Sequence, residues 1–161
     1  MTTENIEAML REKYGAEGIL GVDNNSQPQA IIVSHTVLTQ VCDELYRNEQ
    51  TFFDMLSCIT AIDNGVEENT MEVVYNLYSI PYEVSLGIKV KIDRSQPQVP
   101  TVSTVWKTAD WHEREAYDLM GIIFTDHPDM RRILLPADWE GHPLRKDYKH
   151  QTHYRGIKVE Y

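Results

Sequence analysis

The stretch Val84–Ile92, VSLGIKVKI, alternates Leu86, Ile88, Val90 and Ile92 with Ser85, Gly87, Lys89 and Lys91. A period of two sends successive side chains to opposite faces, so this segment predicts a strand with one buried and one wet face. Such a strand needs neighbours. Cys58–Ile62 and Met71–Ile80 supply them, the second rich in Val and Tyr and ended by Pro81. Thr101–Trp106 is predicted as one more short strand. Strands joined by short connections favour an antiparallel or mixed sheet.

Helices are predicted on either side. Asn5–Tyr14 places Ile6, Met9, Leu10 and Lys13 at helical spacing, with Gly15 as a stop. His35–Asn48 gathers Val37, Leu38, Val41 and Leu45 on one face, with Cys42 beside them. Between these helices, Gly18–Val22 and Ala30–Val33 flank DNNSQPQ and predict a hairpin. The expected fold class is α+β (α/β): a mixed or antiparallel sheet with helices packed on it, followed by an extended C-terminal arm. The expected division is a globular part over 1–124 and an arm over 125–161.

Residues 111–124, WHEREAYDLMGIIF, raise the question of chemistry. Asp110 with Glu113 has the spacing of a capping box, and Gly121 fits the stop that follows a helix. Arg114 and Asp118 have the i,i+4 spacing of an ion pair. A zinc-protease helix needs His-Glu-x-x-His, and Ala116 stands where the second histidine belongs.

The last third reads differently. Pro128, Pro136 and Pro143 break any long helix, and no period persists past Ala137. A stretch of that length without regular structure is usually functional or disordered. Trp139, Leu144, Tyr148, Tyr154 and Tyr161 among arginines and histidines are not a disordered composition; Tyr, Trp and Arg are the types that anchor interfaces. An arm lying on a neighbouring protein explains the mixture, and an arm wrapping its own domain is the simpler alternative. His142, His150 and His153 form a weak metal pattern with no cysteine nearby.

Charge and cysteines narrow the function. The net charge is −10, which disfavours nucleic acid. Residues 1–126 carry −12 and residues 127–161 carry +2, with four of the six histidines in the latter. Cys42 and Cys58 form no CxxC and cannot hold a standard iron–sulfur cluster, so buried free thiols are expected. No run approaches the roughly 20 apolar residues of a membrane span, and the acidic, amphipathic opening MTTENIEAMLREKYG is not a signal-peptide pattern.

One resemblance is specific. Glu113-Arg114-Glu115, Asp118-Leu119-Met120-Gly121, Phe124, His127-Pro-Asp-Met-Arg-Arg-Ile-Leu134 and Pro136-x-Asp-Trp-Glu-Gly-His-Pro-Leu-Arg-Lys-Asp-Tyr148 closely resemble the signature of the 30 kDa subunit family. This family provides the C subunit of proton-pumping NADH:quinone oxidoreductase, respiratory complex I. The preceding 112 residues fit that family by length and element order.

The resemblance implies a non-catalytic scaffold of the hydrophilic (peripheral) arm. It implies docking on the D subunit near the quinone site, with the B and I subunits and other peripheral-arm subunits as further neighbours. NADH, FMN, iron–sulfur clusters and quinone would be bound by other subunits, and this chain would hold no cofactor. The expected place is the cytoplasmic side of the inner (plasma) membrane, as a chain separate from the D subunit. The residues expected at the partner interface are Arg114, Asp118, Arg131, Arg132, Trp139, His142, Arg145 and Tyr148. Two alternatives accompany this reading: the same scaffold role in a ferredoxin- or hydrogenase-linked membrane complex, and a stand-alone metal-dependent enzyme using the tail histidines.

Overall fold

The structure, a computed structural model, describes residues 1–159. Three long strands form its centre: β3 (Met55–Asp63), β4 (Thr70–Ser79) and β5 (Val84–Asp93). They are joined to the hairpin β1 (Ile19–Asp23) and β2 (Ala30–Val33) in the order β1-β2-β5-β4-β3. Only β2 and β5 run parallel; every other pair in this sheet is antiparallel. The sheet is therefore mixed, as expected.

The alternation in β5 survives in the fold: Leu86, Ile88, Val90 and Ile92 are all buried. Register carries the same face across the sheet. Met71, Val73, Tyr75 and Leu77 of β4 stand opposite Ile92, Val90, Ile88 and Leu86. On β3, Leu56 faces Leu77 and Ile59 faces Tyr75, although these two residues are three apart. A register shift between Leu56 and Cys58 makes this possible, because one extra residue reverses which face the following side chains take. The strand is also longer than the predicted Cys58–Ile62.

Helices cover that apolar face. α1 (Thr3–Gly18) is capped by the Thr2 hydroxyl and buries Ile6 and Leu10. It runs past the predicted stop: Gly15, at φ 73°, breaks the helical geometry, and the chain resumes to Gly18. A 3₁₀ turn over His35–Val37 precedes α2 (Leu38–Arg47), whose Leu38, Val41, Cys42 and Leu45 are fully buried. Each such aliphatic side chain contributes roughly 1.5–3 kcal/mol of transfer free energy. α3 (Ala109–Met120) packs along β3. No helix among the described residues is long and apolar enough to cross a membrane.

Thr101–Trp106 is not a strand. The strand lies just before it, β6 (Gln98–Pro100), paired in parallel with β7 (Ile123–Thr125). Residues 102–106 instead turn, with the Val105 and Trp106 amides both donating to the Val102 carbonyl. The Trp106 indole then donates to the Phe53 carbonyl at 3.0 Å. Burying that ring outweighs the strand preference of the local residues.

Of the two free thiols, Cys42 is buried in α2, and burial pushes it far up from its ordinary value. Cys58 is half-buried and accepts a hydrogen bond from Asn76 Nδ2 at 3.1 Å.

Candidate functional site

An α-helix leaves its last four carbonyls without intrahelical partners. In α3 these belong to Tyr117, Asp118, Leu119 and Met120, and each is taken by a residue beyond the helix. The Gly121 amide donates to Tyr117 O at 2.8 Å. Arg132 Nη1 and the His142 Nδ1–H donate to Asp118 O at 3.1 and 3.0 Å. The Leu144 amide donates to Leu119 O at 3.0 Å, and Arg145 Nε to Met120 O at 2.7 Å. The tail is thus a strap that caps α3, and two guanidinium groups sit where the helix dipole favours positive charge.

Asp118 is the hub. Its side chain is wholly buried, and Oδ2 accepts the consecutive amides of Ile133, Leu134 and Leu135 at 3.1, 2.7 and 2.8 Å. Oδ1 accepts Arg132 Nη1 at 2.8 Å. Arg132 Nη2 continues to the carbonyls of Trp139 and Gly141, so one side chain ties three parts of the strap together. Burial alone would raise the Asp118 carboxyl; the three amides and Arg132 outweigh it and hold the group below its ordinary value.

The expected Arg114–Asp118 pair does not form. Arg114 reaches instead to the carbonyls of Arg131 and Arg132, at 3.1 and 3.2 Å, while Asp118 is filled by Arg132 and the amides. The expected capping box is absent too. Thr108 occupies the cap position, but its hydroxyl makes no bond to the helix's own amides, and Asp110 is already inside the helix. The turn at 106–109 runs straight into α3, with the Ala109 amide on Trp106 O, so the helix starts before Asp110. Glu113 turns inward and bonds the preceding loop.

Gly121 makes the close approach possible. It sits at φ 73°, ψ 27°, the left-handed conformation that favours glycine. A Cβ there would lie 2.6 Å from His142 Cδ2 and 2.9 Å from Arg145 Nη2. Burial, with the charges of Arg132 and Arg145, holds the His142 imidazole below its usual range, although its bond to Asp118 O opposes this.

A second anchor was not visible in the sequence. Arg94 makes a two-pronged bond to Asp63, Nε to Oδ1 at 2.7 Å and Nη2 to Oδ2 at 3.0 Å, and both side chains are almost wholly buried. Arg94 also pairs with Asp147, and the Lys146 amide donates to Asp63 Oδ2 at 2.9 Å. The Arg94 guanidinium, aided by the Lys146 and Gly65 amides and opposed by burial, holds Asp63 well below the usual carboxylate range. Nothing in the sequence around Asp63 or Arg94 records partners 83 and 53 positions away.

Five of the eight expected interface residues therefore meet at the end of α3: Arg114, Asp118, Arg132, His142 and Arg145. Trp139 and Tyr148 meet each other, with the indole N–H donating to the phenol oxygen at 3.2 Å. Arg131 stands apart, exposed, and pairs with Asp129. The strap between 131 and 148 lies on its own domain and does not extend away from it. Beyond it, Tyr154 and Arg155 of the short hairpin β8 (His153–Tyr154) and β9 (Ile157–Lys158) bond Asp138. Tyr161 falls outside the described residues.

The tail histidines do not converge. His142 is committed to Asp118 O, His150 stands edge-on to the Tyr148 ring, and His153 bonds Thr152. Among the described residues no group of three or more His, Cys, Asp or Glu could hold a metal ion.

The outer face of this assembly is apolar in places. Trp111, Leu134 and Leu144 are 69%, 63% and 60% exposed. What the geometry defines is a mixed-sheet domain with an internally bonded strap whose outer face carries exposed Leu134 and Leu144 among charged side chains such as Arg131.

That architecture recurs. A chain of the membrane-bound sulfane sulfur reductase, an archaeal respiratory membrane complex, superposes with a TM-score of 0.72 at 22% identity, over 91% of this chain and 85% of that one; this shows the fold alone. The trypsin-resistant fragment of Nqo5 superposes with a TM-score of 0.61 at 25% identity, over 77% of this chain and 98% of the fragment. Residues 31–154 match the family described as "Respiratory-chain NADH dehydrogenase, 30 Kd subunit". The chain belongs to that family. The NADH-quinone oxidoreductase C subunit of Chlorobium phaeobacteroides is 40% identical over 95% of this chain and 92% of its own length. Its counterpart in Geotalea uraniireducens is 45% identical over 86% and 83%. That of Chloroherpeton thalassium is 42% identical over 95% of this chain, which spans 63% of the relative's length.

Proposed function

We propose that this chain is the C subunit of an NADH:quinone oxidoreductase, a structural part of the peripheral arm that docks on the D subunit near the quinone site. The observation that carries this reading is how the family's polar signature is used. Asp118, Arg132, His142 and Arg145 spend their hydrogen bonds on fastening the strap to α3. Among the described residues none is left beside a nucleophile or an open acid–base pair, as a catalytic constellation requires. The strap is preformed, and a preformed surface loses less entropy on association than one that must order first. The arginines then act mainly inside the chain, and partner contact falls to Trp111, Leu134, Leu144 and the exposed Arg131.

On this reading NADH, FMN, the iron–sulfur clusters and quinone belong to other subunits, and the chain reaches the membrane's cytoplasmic face only through them. The B and I subunits are further neighbours. A related ferredoxin- or hydrogenase-linked complex would use the same scaffold; the names of the relatives favour the NADH-linked one. The test is affinity capture of the tagged chain from gently solubilised membranes, with mass spectrometry of what accompanies it. Recovery of the other members of the complex by the whole chain, and their loss when it is cut at Pro136, supports the reading. Capture without any member of a respiratory complex overturns it.

A further inference from the structure

Glu113 lies on the inward face of α3 with no exposed surface. Among the described residues it pairs with no lysine or arginine. Its Oε1 accepts the Val102 amide at 2.7 Å and its Oε2 the Thr101 hydroxyl at 2.5 Å. His127 Nε2 stands 3.8 Å from Oε2, and Asp110 Oδ1 stands 3.5 Å from the same nitrogen. The titratable groups around it are Asp110 on its own helix, His127 after β7, Cys42 on α2 and Tyr75 on β4.

The His127 ring is held in place by its own hydrogen bonds. The Asp129 amide donates to His127 Nδ1 at 3.0 Å, so the ring hydrogen is on Nε2, which donates to Asp110 O at 3.1 Å. The Thr101 hydroxyl, by contrast, has two acceptors in reach: Glu113 Oε2, and Ser103 Oγ at 2.8 Å. With Glu113 ionised, that hydroxyl donates to the carboxylate. With Glu113 protonated, the carboxyl O–H donates to Thr101 Oγ1 and the threonine hydrogen turns to Ser103. Both states are hydrogen-bonded without moving a heavy atom.

We propose that Glu113 is a proton-binding site coupled to the strap: it holds a proton while the strap's root, at His127, covers it, and releases that proton when the root lifts. The His127 side chain has no exposed surface and begins the segment that leads to the Asp118 anchor. Burial pushes Glu113 up to about 7, against the Thr101 and Val102 hydrogen bonds and with help from the Asp110 charge. An uncovered carboxyl returns to its ordinary value near 4.3. The covered state therefore binds more protons between those values, and strap docking weakens as pH rises through that window.

The test uses the full chain with ¹³C-labelled glutamate carboxyls. One resonance should titrate within about a unit of 7 and vanish in Glu113→Gln. Thr101→Val should move that midpoint upward, because the ionised form loses a donor. Amide protection at 131–135, corrected for intrinsic exchange, should fall as pH rises through the window between about 4.3 and about 7 and level off above it, by at most about tenfold per unit for one proton. It should be flat in Glu113→Gln. Glutamates that all titrate below about pH 5.5 overturn the site, and a pH dependence that persists in Glu113→Gln overturns the coupling. Should Glu113→Gln not fold, the wild-type and Thr101→Val titrations decide.

Discussion

Asp118 and Arg132 lie 14 residues apart in sequence and 2.8 Å apart in space, and Asp118 accepts three consecutive strap amides beside that contact. The pair converts the end of a helix into the seat of a long segment that has almost no regular structure of its own.

Asp118→Ala should therefore be among the most damaging single changes in the chain. It leaves three amides without their acceptor and a mostly buried guanidinium without its counter-charge, a loss of about 3–5 kcal/mol. Urea unfolding of the variant should show that loss. Hydrogen exchange should place the new opening at 131–135 before the sheet is affected. Unchanged protection there would mean the strap is held by other contacts.

Gly121→Ala tests the approach of strap and helix. The left-handed conformation costs roughly 1–2 kcal/mol for a non-glycine residue. The added Cβ also meets His142 at 2.6 Å, so His142 and Arg145 must shift. Faster trypsin cleavage after Arg132 or Arg145, with intact far-ultraviolet circular dichroism, is the expected pattern.

Stability should depend on pH with opposite signs at two places. Asp63 and Asp118 have depressed folded values, so their contribution is present above about pH 4 and is lost as pH falls through those values. Glu113 has a raised one, so its contribution is present below about 4.3 and is lost as pH rises to about 7. The second effect amounts to roughly 3–4 kcal/mol. Denaturation of wild type and Glu113→Gln across pH 4 to 8 isolates it, because the glutamine variant should lose that slope.

Tyr75→Phe should be nearly neutral or slightly stabilising. The hydroxyl is buried in β4 with no hydrogen-bond partner among the described residues. Removing a buried polar group that has no partner relieves a desolvation cost of about 1–3 kcal/mol. A drop of several degrees in Tm would point to a bound water or a partner at that oxygen.

Leu134→Ala and Leu144→Ala separate docking from folding. Both side chains are more than half exposed, so each change should alter stability by less than about 0.5 kcal/mol. Under the proposed function, the double variant should fold and capture less of the complex.

Sequence periodicity alone determined the central strands, the hairpin and the buried face of α2. Those features repeat every two or three to four residues, and burial acts on each repeat locally. The charged spacing around α3 was legible as a family signature, but its local interpretation failed. Arg114 and Asp118 had the right separation to pair, yet each found a better-placed partner on the strap. Only the tertiary structure decided that, because a carboxylate takes whichever donors the packing brings to it at least desolvation cost. The same holds for Asp63 and Arg94, whose contact with residues 146 and 147 no local pattern encodes. It holds again for Glu113, which kept the spacing of a helix cap and became a buried acid once the 106–109 turn moved the start of α3.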